Sequence, residues 1–361
     1  MIFPNMVDLA SITELANPPQ NIIGSAIFLA YIVLALYGTI NISGSIYSQY
    51  SSIAKLSKSK SKEKGKLKEK EKKRKGKEEE VQIAQSSAIQ NARKRHVKIY
   101  AFLASISFAT LSYHMLSFLI ISYSAWAGKR KLSLNDITVD SLKAWMLNTS
   151  LFDSFAKELV HDGPSAAWTQ GAILATYFWN IWMADKVQQR GYSLKTMFPY
   201  VMLSQILPIS LTVSLFIVQL HLSAILESAK VPTSDGPQPT SAKKAYKKTN
   251  PTLPTIILNA ALLALPPLRN HPVFIPLVLL TRIILLVPFS GRISSREQQV
   301  VQSISISAGF VFAQLFMMRS TTSLGEVVRG CWSGGEAVKA LGWDAQLGAL
   351  VHLVLSWGGG V

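Results

Sequence analysis

Seven apolar runs follow one another along this 361-residue chain, and they decide what it can fold into. They are Ile22 to Ile42, Ile99 to Trp126, Ala166 to Ala184, Phe198 to Ile225, Leu253 to Leu268, Val273 to Val287 and Val300 to Met318, with Ala345 to Leu355 as a shorter eighth. Hydrocarbon offers no partner to backbone N–H and C=O groups, so segments of this length cross a bilayer as helices. The expectation is an all-α protein, a polytopic transmembrane helical bundle of seven to eight spans whose constant partner is the lipid bilayer. Pro254, Pro266, Pro267 and Pro276 interrupt the fifth and sixth runs, a feature tolerated where a helix faces protein rather than lipid.

Charge is distributed unevenly. The formal net charge is +17, but residues 44 to 97 hold 16 Lys or Arg against 6 Glu, a net of +10. A basic excess confined to one tract is a poor nucleic-acid signature, and no nucleic-acid partner is expected. Between Lys58 and Glu80 the tract is almost entirely Lys, Glu and Ser, too polar to build a core, so 44–97 reads as a disordered or transiently helical cytoplasmic loop. Residues 1–21 contain Asp8 and Glu14 but no Lys or Arg. They lack the positive flank of a cleavable signal, so 1–43 is expected to comprise a lumenal N-terminus and a retained first span. Residues 98–361 form the rest of the bundle.

Counting spans from that start makes the loops 127–165 and 226–252 lumenal, although Lys243, Lys244, Lys247 and Lys248 in the second favour the cytoplasm. One run is therefore re-entrant or miscounted. A lumenal 127–165 loop would make Asn148, in Asn148-Thr149-Ser150, a glycosylation acceptor. Further on, Ser150 precedes Asp153 by three residues, and Phe152, Phe155, Ala156 and Leu159 line one face before Gly163-Pro164. This predicts an amphipathic interfacial helix near 150–162, stopped by the Gly-Pro pair. Its other side carries Asp153, Lys157, Glu158 and Asp162.

Several spans carry polar stripes at helical spacing. Gln205, Thr212 and Gln219 fall on one face of the fourth run; Thr169, Thr176 and Asn180 share a face of the third; Ser303, Ser307 and Gln314 share one of the seventh. Polar groups in hydrocarbon are costly unless partnered, so these faces should look inward, toward protein or a cavity. Trp179, set deeper than Trp168 or Trp182, could offer a ring face to a cation. Asp185 follows the third run and could serve as a proton donor at the edge of hydrocarbon, or be held ionised by Lys186 or Arg190. Arg282, in the middle of the sixth run, is a binding candidate because a lone intramembrane cation needs an anion. His114 is either a hydrogen-bonded core histidine or a site residue.

Absences narrow the chemistry. The single Cys331 leaves no intramolecular disulfide and no Cys-cluster metal site. The sequence has no Asp-rich diphosphate motif, phosphate-binding loop, HExxH or GxSxG. Neither a metal nor another cofactor is expected.

Four segments carry a resemblance. They are Trp168-Thr169-Gln170; Asp185 to Arg190-Gly191; Tyr200-Val201-Met202-Leu203-Ser204-Gln205 with Ser210; and Phe274-Ile275-Pro276-Leu277 with Thr281-Arg282 to Pro288. Over roughly residues 145–320 the chain resembles fungal multi-pass membrane proteins of secondary-metabolite clusters, the membrane-bound terpene cyclases of the ascofuranone type. The resemblance implies an endoplasmic-reticulum enzyme that protonates an epoxide or alkene on a prenyl chain of a meroterpenoid and lets rings close without metal. Its partner would be a hydrophobic prenylated small molecule. The acid would come from Asp185 or from Asp153, Glu158 and Asp162, with Trp179, Asn180, Gln205, Thr212, Gln219, Arg282 and His114 around the substrate. The alternative from a different class is a small-molecule transporter or a non-catalytic component of such a cluster, using Arg282 and the Gln205, Thr212, Gln219 stripe.

Overall fold

The computed structural model describes residues 21–67, 77–131, 137–206, 208–229, 249–293, 296–320 and 322–358. The 243–248 lysines and the centre of the Lys-rich tract, 68–76, lie outside the described residues. The described residues form twelve α-helices and one 3-10 turn; their single β-bridge joins Thr249 to Ile293.

The first two helices are long, α1 at Ile22–Leu67 and α2 at Lys77–Gly128. Residues up to Leu67 and from Lys77 are therefore helical, the second of the two conformations open to this tract in the sequence. Lys and Glu are good helix formers, and a nucleated span extends through them cheaply. Next come α3 (Val139–Asn148) and α4 (Leu151–Glu158). A capping box of Thr138 and Ser141 opens α3, whereas Ser150 makes no side-chain cap on α4. Gly163-Pro164 does not end a helix but begins one. Asp162 accepts from the Ser165 N–H at 2.8 Å and Pro164 occupies the first turn of α5, Gly163–Arg190, the place where a missing N–H costs nothing. Gly191, at φ 64°, closes α5 in the left-handed conformation that glycine adopts without penalty.

The fourth apolar run is two helices, α6 (Leu194–Ile206) and α7 (Ile209–Ala229), broken at Pro208. Proline has no N–H to continue a helix and its ring clashes with the preceding turn. Then follow α8 (Thr252–Ala264), α9 (Phe274–Leu286), the 3-10 turn Val287–Ser290, α10 (Glu297–Met318), α11 (Leu324–Ser333) and α12 (Glu336–Trp357). At 13 residues each, α8 and α9 rise only about 20 Å, short of the roughly 30 Å of hydrocarbon. Among the described residues, four helices are long and apolar enough to cross a membrane: α1, α2, α7 and α10.

Helix α7 is the centre, packed by α1, α2, α5, α6 and α12. Phe216, Ile217, Leu220 and Val213 on it are fully buried. The outer helices instead expose apolar side chains, among them Leu29, Val33 and Leu36 on α1, Phe102 and Leu116 on α2, and Phe312 and Phe316 on α10. Apolar exteriors of this extent suit lipid. The predicted polar faces do turn inward: Thr169, Thr176, Asn180, Thr212, Gln219, Ser303, Ser307 and Gln314 are all buried. Asn259 on α8 donates to Ser307 on α10 at 2.9 Å, so part of one stripe holds neighbouring helices together.

Candidate functional site

Each helix around the main cavity gives it one face at helical spacing. From α1 come Phe28, Tyr31, Ile32, Ala35 and Leu36; from α2, Phe108, Leu111, Ser112, Met115, Phe118 and Leu119. The short α4 closes one side with Leu151, Phe152 and Phe155, its apolar face turned to the cavity. Edge-on ring contacts join it to both long helices, Phe152 to Tyr31 at 6.2 Å and Phe155 to Phe118 at 5.2 Å between centroids. Ala172, Ile173 and Thr176 of α5 and Ser204 and Ile206 of α6 complete most of the wall. The cavity, open between the outer helices where Leu36 and Phe108 are exposed, has a volume of about 320 Å³, within the range that holds a small organic molecule.

Two charged side chains enter this apolar wall, Arg282 from α9 and Asp344 from α12. Both act on the break between α6 and α7. Asp344 Oδ2 accepts from the Ile209 N–H and Oδ1 from the Ser210 N–H, each at 2.9 Å. It supplies the cap that the first turn of α7 lacks, and an anion there is favoured by the dipole. On the other side, Arg282 Nη1 donates to the Gln205 carbonyl at 3.4 Å, next to the C-terminal residue of α6. Opposite charges thus complement the two helix ends.

A second, more polar cleft of about 450 Å³ is lined by Phe118, Ile121, Ser122, Ser154, Glu158, Gly335 and Glu336. Here the charges satisfy one another. Glu336 pairs with His114 Nδ1 and with Lys339 Nζ, both at 2.8 Å. Glu158 accepts from the Ala337 N–H at 3.0 Å and so caps α12. Gly335 leaves room for the Glu158 carboxylate, which a Cβ at this position would displace. Burial pushes the Glu158 pKa up; the negative Glu336 adds to this, and the Ala337 N–H opposes it.

The four carboxylates expected to supply the acid lie apart from the main cavity. Asp153 is paired with Lys157 at 2.8 Å. Asp162 is the cap of α5; burial pushes its pKa up, but the Ser165 hydrogen bonds and His161 outweigh this and leave it lowered. Asp185, near the end of α5, accepts from Gln189. Glu158 borders only the second cleft.

Of the expected substrate contacts, Arg282 reaches the main cavity. Asn180 donates to the Leu285 carbonyl at 2.9 Å, tying α5 to α9. Trp179 packs edge-on against Trp182 and His352, at 5.3 and 5.8 Å. Thr212 donates to the Pro208 carbonyl at 3.2 Å, and Gln219 donates to Ser223 at 3.4 Å. Gln205 contributes its carbonyl to Arg282, and because of the break it does not share one continuous helix with Thr212. His114 belongs to the second cleft's ion pair. Asn148 closes α3 with its amide donating to the Ala144 carbonyl at 2.7 Å.

The residue that sequence reasoning missed is Asp344. Its signal was its position immediately before the shorter eighth run, with no other acid between Glu336 and Trp357. Among the described residues, no group of three or more His, Cys, Asp or Glu is placed to hold a metal.

Among the described residues, the fold is all-helical with four helices able to cross a membrane, and it forms an aromatic-lined cavity with one carboxylate and one guanidinium in its wall. Compared with protein-family models, with curated proteins and with solved structures, the chain matches none.

Proposed function

We propose that this chain is a membrane-bound terpene cyclase that folds and closes a prenyl chain inside the main cavity. The observation that carries the reading is the wall itself, apolar and aromatic apart from Asp344, Arg282 and the hydroxyls of Tyr31, Ser112, Thr176 and Ser204. Asp344, rather than Asp185, Asp153, Glu158 or Asp162, is the acid. Its protonated carboxyl gives H⁺ to the epoxide oxygen; as the C–O bond breaks, the π electrons of a chain alkene form the new C–C bond. The carboxylate left behind is stabilised by the Ile209 and Ser210 N–H groups at the start of α7. Ring faces of Phe28, Tyr31, Phe108, Phe118 and Phe155 are the groups available to the travelling cation, each worth about 0.5–2 kcal/mol. Loss of a proton from the final cation to the Asp344 carboxylate restores the acid, so the net reaction is an isomerisation.

In this reading α5 and α12 also cross the bilayer and α8 and α9 enter it as half-spans. The bundle then makes the seven to eight passes suggested by its apolar runs. It resides in the endoplasmic reticulum, with Asn148 on the lumenal side.

The test is conversion of epoxyfarnesyl aromatic compounds by microsomes carrying the protein. Asp344→Asn should lower turnover by about 100-fold or more, while Asp185→Asn and Asp153→Asn stay near wild type. One observation favours a second reading, the charge-capped break in the α6–α7 segment, since discontinuous helices line transport pathways. Arg282-dependent vesicle uptake without any conversion would establish the transporter and end the cyclase proposal.

A further inference from the structure

We infer that the molecule bound in the main cavity carries an anionic head group, a carboxylate or acidic phenol, which pairs with Arg282. This deepens the function proposed above and rests on its reading of the cavity as a ligand site.

A guanidinium has five N–H donors in a planar fork, and Arg282 spends one of them on the Gln205 carbonyl at 3.4 Å, a long bond for a charged donor. Among the described residues no Asp or Glu forms an ion pair with it. The other charged clusters show what satisfaction looks like, with Glu336 bonded to His114 and Lys339 at 2.8 Å and Asp153 to Lys157 at the same distance. An unpaired cation in an apolar wall is costly, and it sits where an anion could reach it without leaving the cavity. Ser204 and Thr176, also in the wall, already donate to the Val201 and Ala172 carbonyls at 2.8 and 2.9 Å, which leaves Arg282 as the donor for that head.

Among the described residues the other charge in that wall is Asp344, already committed to two backbone N–H groups. Like charges avoid one another, so an anionic head is compatible with Asp344 in its protonated form, from which the proposed reaction begins. The rest of the wall then receives an uncharged chain. A prenylated aromatic acid therefore fits better than a neutral terpene or a cationic amphiphile.

The experiment is calorimetric titration of the purified full chain in nanodiscs with a farnesyl-substituted hydroxybenzoic acid and with the corresponding carboxamide, equal in size but uncharged. The acid should bind about tenfold more tightly or better, the gain expected for a hydrogen bond to a charged group. Arg282→Gln should abolish the preference of acid over amide; Arg282→Lys should retain part of it. Equal binding of acid and amide to wild type, or a preference that survives Arg282→Gln, overturns the inference. If turnover still depends on Asp344, that result leaves the cyclase reading standing. Binding of neither compound to wild type removes the ligand-site reading, and the inference with it.

Discussion

Charge meets the apolar interior in two places, and the protein treats them differently. In the cleft at the start of α12, His114, Glu336 and Lys339 neutralise one another at 2.8 Å. At the α6–α7 break, Asp344 and Arg282 each hold a helix end instead of forming an ion pair. A mutually paired cluster is finished chemistry: it contributes packing and specificity and has little left to offer a ligand. Side chains bonded to helix-end backbone groups rather than to a counter-ion, and lining a cavity, remain open to a ligand. The difference separates a structural ion cluster from a candidate site more sharply than residue type does.

The largest effect should come from removing the carboxylate at the break. Asp344→Ala leaves the Ile209 and Ser210 N–H groups without their acceptor, a loss of about 3 kcal/mol, read as a lower midpoint of thermal unfolding in detergent. A wild-type midpoint would mean that α7 does not depend on this cap. In the paired cluster, Glu336→Gln should cost less, about 1–2 kcal/mol, since Lys339 is partly solvated and can turn outward. The discriminating measurement is turnover, which should survive Glu336→Gln and not Asp344→Asn; equal losses would erase the distinction between the two places.

The smallest effect is a pH dependence confined to the paired cluster. Burial raises the Glu158 pKa, so the folded state holds this proton more tightly than the unfolded chain does. Its contribution is complete below the ordinary glutamate range, near about 4.3, and is lost as the pH rises through the raised value. Glu158→Gln keeps an oxygen for the Ala337 N–H and removes the titration. Its unfolding midpoint should therefore gain on wild type by about 1 °C between acidic and neutral pH. Parallel midpoints across that range would show that Glu158 is not perturbed.

Much of the architecture was readable in the chain. Runs of apolar residues predicted helices where α1, α2, α5, α8, α9 and α10 stand, and period-seven polar positions predicted which faces are buried. Burial of Thr212 and Gln219 on α7 and of Ser303 and Ser307 on α10 follows from the cost of bare polar groups in hydrocarbon. Arg282 stood out for the same reason. Hydropathy could not rank the helices by depth: 83% of the most apolar stretch of α7 is buried against 17% in α10, although both have the length and composition of a span. Lipid and protein interior are equally apolar, so composition cannot distinguish the two environments.

Taken alone, the sequence determined that this protein is helical, that it has helices able to cross a membrane, and that certain polar faces must be hidden. Those outcomes depend on local periodicity and on transfer free energy, both properties of neighbouring residues. Tertiary structure alone decided that the fourth run breaks at Pro208, that Asp344 reaches back 134 positions to cap Ser210, and that Asp153, Asp162 and Asp185 stay outside the cavity. A carboxylate's role is set by the groups that solvate it, and those groups are brought together by packing rather than by position along the chain.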